Sequence, residues 1–335
     1  MNAELLLMFT LGCDRAYLYG HPERELTSEE QSRYDNALAQ RSRGIPAQHI
    51  TEHQEFWGMD IIVSPAVLIP RPETEHVIEK VLELVATNKS RTGETSFAPR
   101  TNWSLEWGVS WPAPHLRIVD VGTGSGCIAL AFAKELPHAE IHAMDVSPAA
   151  LEVARVNAAR HQFENRIHFH ETDLLAGTER NAFDFVVSNP PYVGESEEDQ
   201  VQLEVRKFEP RNAVFAGPTG LEVIQRLIPQ ARDVLKPNAW LVMEISGTIA
   251  SRVQELLLDW EDVQVTNDLQ GIPRVVSARK PLSQKPHPLA KNARRMGHPT
   301  NPRHVIPRSN ATRNLLFARE EAGSPSHSLL GMTCD

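Results

Sequence analysis

An apolar run, Phe183-Asp184-Phe185-Val186-Val187-Ser188, leads straight into Asn189-Pro190-Pro191-Tyr192. These residue types suit one chemistry. An amide or exocyclic amino nitrogen is a poor nucleophile because its lone pair is delocalised into a π system. Two acceptors that take both of its N–H hydrogens draw it toward tetrahedral geometry, and the Asn189 side-chain oxygen and the Pro190 carbonyl can be those two. Proline donates no hydrogen bond and fixes φ near about −65°, so such a turn holds its oxygens in place. Pro191 stiffens it further, and Tyr192 offers a flat face to a planar group. No strong base is required, because the proton becomes acidic once the nitrogen is methylated. Asn189, Pro190 and Tyr192 are therefore the candidate catalytic residues.

A second constellation lies upstream. Ile118-Val119-Asp120-Val121 runs into Gly122-Thr123-Gly124-Ser125-Gly126 and then a helical pattern from Cys127 to Leu136. Glycines let the backbone turn sharply and approach a ligand, and a helix start offers unpaired N–H groups. Alone, this spacing also serves dinucleotides. Three features point instead to S-adenosylmethionine. Asp120 directly precedes the glycines, suited to an ammonium; the spacing is Gly-x-Gly-x-Gly; and Asp173 closes a third strand within reach of an adenine amino group, with Leu174 beside the ring. Asp145 ends the next strand about twenty residues on, where a carboxylate can accept both ribose hydroxyls.

The elements that must position these groups alternate. Strands are predicted over Leu116–Val121, Glu140–Asp145, Ile167–Glu171, Phe183–Ser188, Trp240–Ile245, Val263–Thr266 and Val275–Ala278. Helical patterns lie between them, such as Ser147–His161 with Ser147 as N-cap and Pro148 in the first turn. The alternation predicts an α/β fold with a parallel, doubly wound sheet. Earlier, Thr27-Ser28-Glu29-Glu30 resembles a capping box opening a helix through Leu38. Ile61–Val63 and Val67–Ile69, separated by Ser64-Pro65, suggest a hairpin, and Thr74 a cap for the next helix. The expected organisation is a helical region 1–48, a β-hairpin connector 49–75, a catalytic domain 76–280 with a surface insertion at 89–114, and a tail 281–335. Trp103, Trp107 and Trp111 are expected to anchor the insertion.

Composition narrows the classes. The chain has 335 residues, a net charge of −9, 41% hydrophobic residues and no apolar run long enough to span a bilayer. Three isolated thiols, Cys13, Cys127 and Cys334, fit a reducing cytoplasm rather than a disulfide framework or zinc site. Fourteen histidines are scattered without ligand spacing, so no metal is expected, and His168 and His170 read as structural. The acidic body argues against a phosphate-binding face. Only the proline-rich tail is basic, with eight Lys/Arg against three Asp/Glu; it reads as disordered, with nucleic-acid contact possible there alone.

From Ala3 to Lys280 the chain resembles the PrmC/HemK family, the peptide chain release factor glutamine-N5 methyltransferases. The resemblance rests on more than Asn189–Tyr192, which adenine-N6 methyltransferases share. Gly44-Ile45-Pro46-Ala47-Gln48-His49-Ile50, Glu55-Phe56-Trp57-Gly58 and Leu68-Ile69-Pro70-Arg71-Pro72-Glu73-Thr74-Glu75 match the family connector. Phe208-Glu209-Pro210-Arg211 and Ala216-Gly217-Pro218-Thr219-Gly220-Leu221 match its later loop. The resemblance implies a class I methyltransferase fold with a seven-stranded sheet and a small N-terminal helical, substrate-docking domain. It implies S-adenosylmethionine bound at Gly122–Gly126, Asp145 and Asn189, and a release-factor glutamine held by Asn189–Tyr192. Arg71 and Glu73 either line that glutamine pocket or hold the connector; Glu209 and Arg211 read as braces for the loop after Tyr192. Against the family, the N-terminal region is short, the insertion long, and the tail without counterpart. A ribosomal-protein glutamine and an adenine N6 are the alternative acceptors.

Overall fold

Residues 2–91 and 115–282 are described by the structure, a computed structural model. Residues 92–114, with the three spaced tryptophans, and 283–335, nearly all of the tail, lie outside the described residues. Four helices come first: α1 Asn2–Leu11, α2 Arg15–Gly20, α3 Ser28–Ser42 and α4 Ala47–Thr51. The capping box forms as expected. Thr27 Oγ1 accepts from the Glu30 N–H at 3.2 Å while the Glu30 carboxylate accepts from the Thr27 N–H at 2.9 Å, an arrangement worth about 1 kcal/mol. Helix α3 continues past Leu38 to Ser42, because its stop signal is Gly44, whose φ of 90° only glycine adopts freely.

The hairpin falls earlier than expected, between β1 His53–Phe56 and β2 Met59–Ile62. Its two turn residues, Trp57 (φ 53°) and Gly58 (φ 63°), both adopt the left-handed region, which matches strand twist. Val67–Ile69 forms no strand; Val67 and Ile69 are buried in irregular chain. Thr74 closes a short 3₁₀ turn, Pro72–Thr74, ahead of α5 Glu75–Arg91, and its hydroxyl caps nothing.

The remaining elements follow as β3 Arg117–Val121, α6 Cys127–Glu135, β4 Glu140–Asp145, α7 Pro148–Arg160, β5 Ile167–Glu171 and β6 Phe183–Ser188. Then come β7 Val193–Gly194, α8 Leu203–Phe208, α9 Arg211–Val214, β8 Phe215–Gly217, α10 Glu222–Val234, β9 Leu235–Glu244, α11 Ala250–Leu256, β10 Glu261–Asn267 and β11 Pro273–Arg279. Seven strands make one sheet in the order β10-β11-β9-β6-β3-β4-β5. It is not wholly parallel: β11 runs against both neighbours. Only five residues separate β10 from β11, too few for a crossover. The Asp268 carboxylate accepts from the N–H groups of Gln270 (2.8 Å) and Ile272 (2.9 Å), fixing the hairpin turn.

Alternate strand residues enter opposite cores. Ile118, Phe185, Val187 and Val242 pack with α5 and α6, whereas Val119, Val186, Leu241 and Met243 pack with α10 and α11. One buried amide ties the hairpin to the glycine turn. Asn157 on α7 accepts from the Ile62 N–H at 2.8 Å and donates to the Ile62 and Ser125 carbonyls, each at 2.9 Å. Its amide is fully buried and amply bonded, so truncation orphans all three groups.

His168 and His170 join His142 on the adjoining strand. His142 Nε2–H donates to Glu140 at 2.8 Å, so its Nδ1 is the acceptor for His170 Nε2–H at 3.0 Å. Burial lowers the pKa of both His142 and His170; Glu140, tied to Arg117, opposes this at His142, and neighbouring imidazoles reinforce it at both. The folded state therefore holds neutral imidazoles, while the unfolded chain takes up protons near the ordinary pKa of about 6.5. Stability is full above that value and falls as pH drops below it. In urea melts at pH 7.5 and 5.5, the wild type should lose more stability than a His142→Gln/His170→Gln variant; equal losses would refute the assignment.

Candidate active site at the carboxyl ends of the strands

Strands β3 and β6 are parallel neighbours with Val121 opposite Ser188, and the Ser188 hydroxyl donates to the Val121 carbonyl at 2.7 Å. The glycine turn and Asn189–Tyr192 therefore leave the sheet side by side. Within the turn, the N–H groups of Gly122 and Thr123 donate to the Met144 carbonyl at 2.8 and 2.9 Å. A Cβ on Gly122 (φ 73°) or Gly124 (φ 54°) would meet nothing within 4 Å, so the backbone there borders open space. At Gly126 the constraint is different: its Cβ would lie 3.1 Å from that of Ala154, and its absence lets α6 approach α7. Ser125 is buried, and its carbonyl is the one taken by Asn157.

Asp120 sits beneath this turn and is wholly buried. Its Oδ2 accepts from the Thr123 hydroxyl at 2.7 Å, while its Oδ1 has no hydrogen-bond partner among the described residues. Burial pushes the carboxyl up to about 7, against the Thr123 hydrogen bond. With no exposed surface, the carboxyl reaches a cofactor ammonium only if the turn above it shifts. Asp145 accepts from the Gly124 N–H through Oδ2 and from the Ser147 N–H through Oδ1, both at 2.9 Å. These bonds hold the carboxylate at the strand end and leave each oxygen a lone pair. Ser147 then caps α7 by accepting from the Ala150 N–H at 3.2 Å. Val146, next to Asp145, is 56% exposed. Sequence reading passed over it, because a valine in a strand-ending run carries no chemical signal.

Asp173 follows Thr172, whose N–H donates to the Asp145 carbonyl at 2.9 Å. Its carboxylate is ion-paired to Arg226 of α10 and half exposed. Leu174 beside it has a φ of 55°, a conformation costly for a leucine, and packs partly on the second core. The loop is braced by the Leu175 N–H, which donates to Gln230 at 2.9 Å.

At the acceptor end, Pro190 is buried and Asn189 half-buried. Asn189 Nδ2 donates to Thr74 Oγ1 at 3.1 Å, and Thr74 Oγ1 donates to Glu244 Oε2 at 2.6 Å. The Tyr192 hydroxyl donates to the other oxygen, Glu244 Oε1, at 3.1 Å. Burial raises the Glu244 carboxyl and, with the adjacent Glu244 charge, the Tyr192 phenol. Thr74 and Glu244 were invisible as site residues in the sequence, since they lie 115 and 55 positions from Asn189. Beyond Tyr192, β7 pairs with β8, and Gly220 (φ 79°) passes so close that a Cβ would stand 2.5 Å from the Tyr192 carbonyl oxygen.

Arg71 pairs with the buried Glu209, whose other oxygen accepts from the Ile69 N–H at 3.2 Å. Burial raises the Glu209 carboxyl, and Arg71 opposes it. This arginine thus ties the connector to the loop after Tyr192. Arg211 makes two bonds to Glu198, at 2.8 and 2.9 Å, within the same loop.

The Methyltransferase small domain family matches residues 111–207, and the PrmC N-terminal domain family matches residues 1–51. The chain is 53% identical over 284 residues to a release factor glutamine methyltransferase of Koribacter versatilis, covering 84% of this chain and 92% of that one. It is 39% identical to one of Chlorobaculum tepidum, covering 83% and 89%. Among solved structures, the hMettl16 catalytic domain superposes with a TM-score of 0.50 at 17% identity, covering 71% of this chain and 80% of that one, a likeness of fold alone. Among the described residues no helix is long and apolar enough to cross a membrane. With its matching N-terminal and catalytic regions, and relatives alike over most of their length, the chain belongs to the release factor glutamine methyltransferase family.

Proposed function

We propose that this protein transfers the methyl group of S-adenosylmethionine to the side-chain amide nitrogen, N5, of the Gly-Gly-Gln glutamine of a class I peptide chain release factor. One observation carries the reading: the glycine turn and Asn189–Tyr192 leave neighbouring strands β3 and β6 in register, so a methyl donor and a planar amide would meet between them. When bound, S-adenosylmethionine supplies a methyl group on a positively charged sulfur, electrophile enough for a neutral nitrogen.

The chain's own residues do the rest. Asp120 braces the turn from beneath through Thr123, the open backbone of Gly122–Gly124 would admit the amino-acid end of the cofactor, and Asp145 would accept from the ribose hydroxyls. Val146 and Leu174 follow the ends of adjacent strands β4 and β5 and would give apolar walls for the adenine ring, with the half-exposed Asp173 carboxylate, paired to Arg226, beside them. Asn189 Oδ1 and the Pro190 carbonyl take the two N–H hydrogens of the glutamine amide, lowering its delocalisation, while Tyr192 flanks it. The alkylated nitrogen, briefly cationic and strongly acidic, gives its extra proton to solvent water. Arg71 contributes by holding the connector against the acceptor loop rather than by touching substrate. The helical region α1–α4 is the proposed docking domain, and the cytoplasm the proposed location on the strength of isolated thiols.

Full-length protein, isotopically labelled S-adenosylmethionine and a release factor test the reading directly. Mass spectrometry should place one added methyl on the Gly-Gly-Gln glutamine. Label on a ribosomal protein or an oligonucleotide, with none on the release factor, would overturn it. Asp145→Ala should weaken cofactor binding by about 2 kcal/mol, roughly 30-fold in Kd, because two ribose contacts and the brace on the turn go together. Calorimetry showing an unaltered Kd would exclude that role.

A further inference from the structure

Asn189 must present an oxygen, not an NH2 group, to the acceptor amide, yet the two ends of a carboxamide have nearly the same shape. Something has to choose. The choice is visible in what lies behind the side chain. Glu244 is 2% exposed and reaches both Thr74 and Tyr192. Burial raises this carboxyl, but the Thr74 and Tyr192 hydroxyls and the Arg274 charge all favour its ionised form. Ionised, it can only accept, so the single hydroxyl hydrogen of Thr74 is committed to it at 2.6 Å. Thr74 Oγ1 then faces Asn189 with lone pairs alone across 3.1 Å, and only the NH2 end of the amide can meet it. Oδ1 is thereby turned away, toward the acceptor. The second Glu244 oxygen takes the Tyr192 hydroxyl, so one buried carboxylate fixes both ends of the four-residue turn.

We propose that Thr74 and Glu244 are positioning residues that set the polarity of the Asn189 amide, through a one-way chain running from Asn189 Nδ2 to Thr74 Oγ1 to Glu244. This rests on the proposed role of Asn189. The chain also gives Thr74 a purpose that helix capping does not, and it places the connector before α5 and the end of β9 within the machinery of the acceptor loop. With no acceptor behind it, the amide is better satisfied with its NH2 turned toward the acceptor site, so the flipped orientation dominates, and a donor there opposes alkylation.

The test is a double-mutant cycle on the full chain, read as kcat with release factor and as KM for S-adenosylmethionine. Thr74→Val keeps the shape and removes the hydroxyl; Thr74→Ser restores it. Expected are a fall in kcat of roughly 10- to 100-fold for Thr74→Val with KM for the cofactor within about threefold, and recovery to within about threefold for Thr74→Ser. In an Asn189→Ala background, Thr74→Val should cost nothing further, because the amide it orients is gone. Glu244→Gln, whose own NH2 can donate toward Thr74, should repeat the kcat loss; it serves alone if the valine variant does not fold by thermal melt. Unchanged kcat in Thr74→Val and Glu244→Gln overturns the proposal, as does an equal further loss in the Asn189→Ala background, which would mean a packing role. If instead Asn189→Ala itself retains full turnover, the underlying reading of Asn189 fails first, and the two failures are told apart.

Discussion

Replacing Asn189 by alanine should lower kcat for release-factor methylation by about 10²- to 10³-fold, while cofactor affinity falls only a few-fold. The size follows from what the side chain does. A single preorganised hydrogen-bonding group acting in the transition state is worth about that much, and here the group is half-buried and held from behind by Thr74 at 3.1 Å. The proposed cofactor contacts rest mainly on the ends of β3 and β4, through the glycine turn and Asp145, which the substitution leaves intact. Single-turnover rates with saturating S-adenosylmethionine, set beside calorimetric Kd values, separate the two effects. Turnover at the wild-type level would contradict the assignment.

Gly220→Ala should be the most damaging small substitution outside the site. At φ 79° an alanine pays the left-handed penalty, about 1 kcal/mol. The larger cost is steric: the new Cβ would stand 2.5 Å from the Tyr192 carbonyl oxygen and 3.0 Å from the Gly194 nitrogen, both backbone atoms with no side chain to swing aside. The β7–β8 contact must open, and the turn Asn189–Tyr192 shifts with it. Turnover should drop by at least about tenfold and stability by roughly 2–4 kcal/mol, with cofactor affinity nearly kept. Gly271→Ala is the control, since Gly271 has a φ of 80° but nothing within 4 Å of its added Cβ. If both variants lose the same amount in thermal melts and keep turnover, the close approach at Gly220 has no functional weight.

Much of this was legible in one dimension, for a physical reason. A strand feeding a glycine turn and a helix is a local device, so Asp120, Gly122–Gly126 and Asp145 could be found by spacing along the chain. Strands β4 and β6 begin and end where the sequence pattern places them, because both faces of a central strand are buried. The capping box at Thr27 and the cap at Ser147 are likewise set by neighbours three residues apart. Asn189–Tyr192 declared its chemistry because proline stiffness and an amide oxygen need no distant partner to be meaningful.

What the sequence could not supply was everything carried by partners far apart in the chain. Thr74 reads as a helix cap until Glu244, 170 residues away, takes its hydrogen. Arg71 pairs with the buried Glu209, 138 residues away, a partner invisible to local spacing. The Asp173 carboxylate had the right place in the order of strands but an arginine on α10 that no spacing announces. The reversal of β11 depended on a five-residue turn closed by Asp268, which outweighed the expectation of a parallel sheet. The residue types of Asn189–Tyr192 and of the glycine turn thus named the reaction. The fold decided which end of the Asn189 amide faces it, because hydrogen-bond polarity is fixed by groups that meet only when the chain is closed on itself.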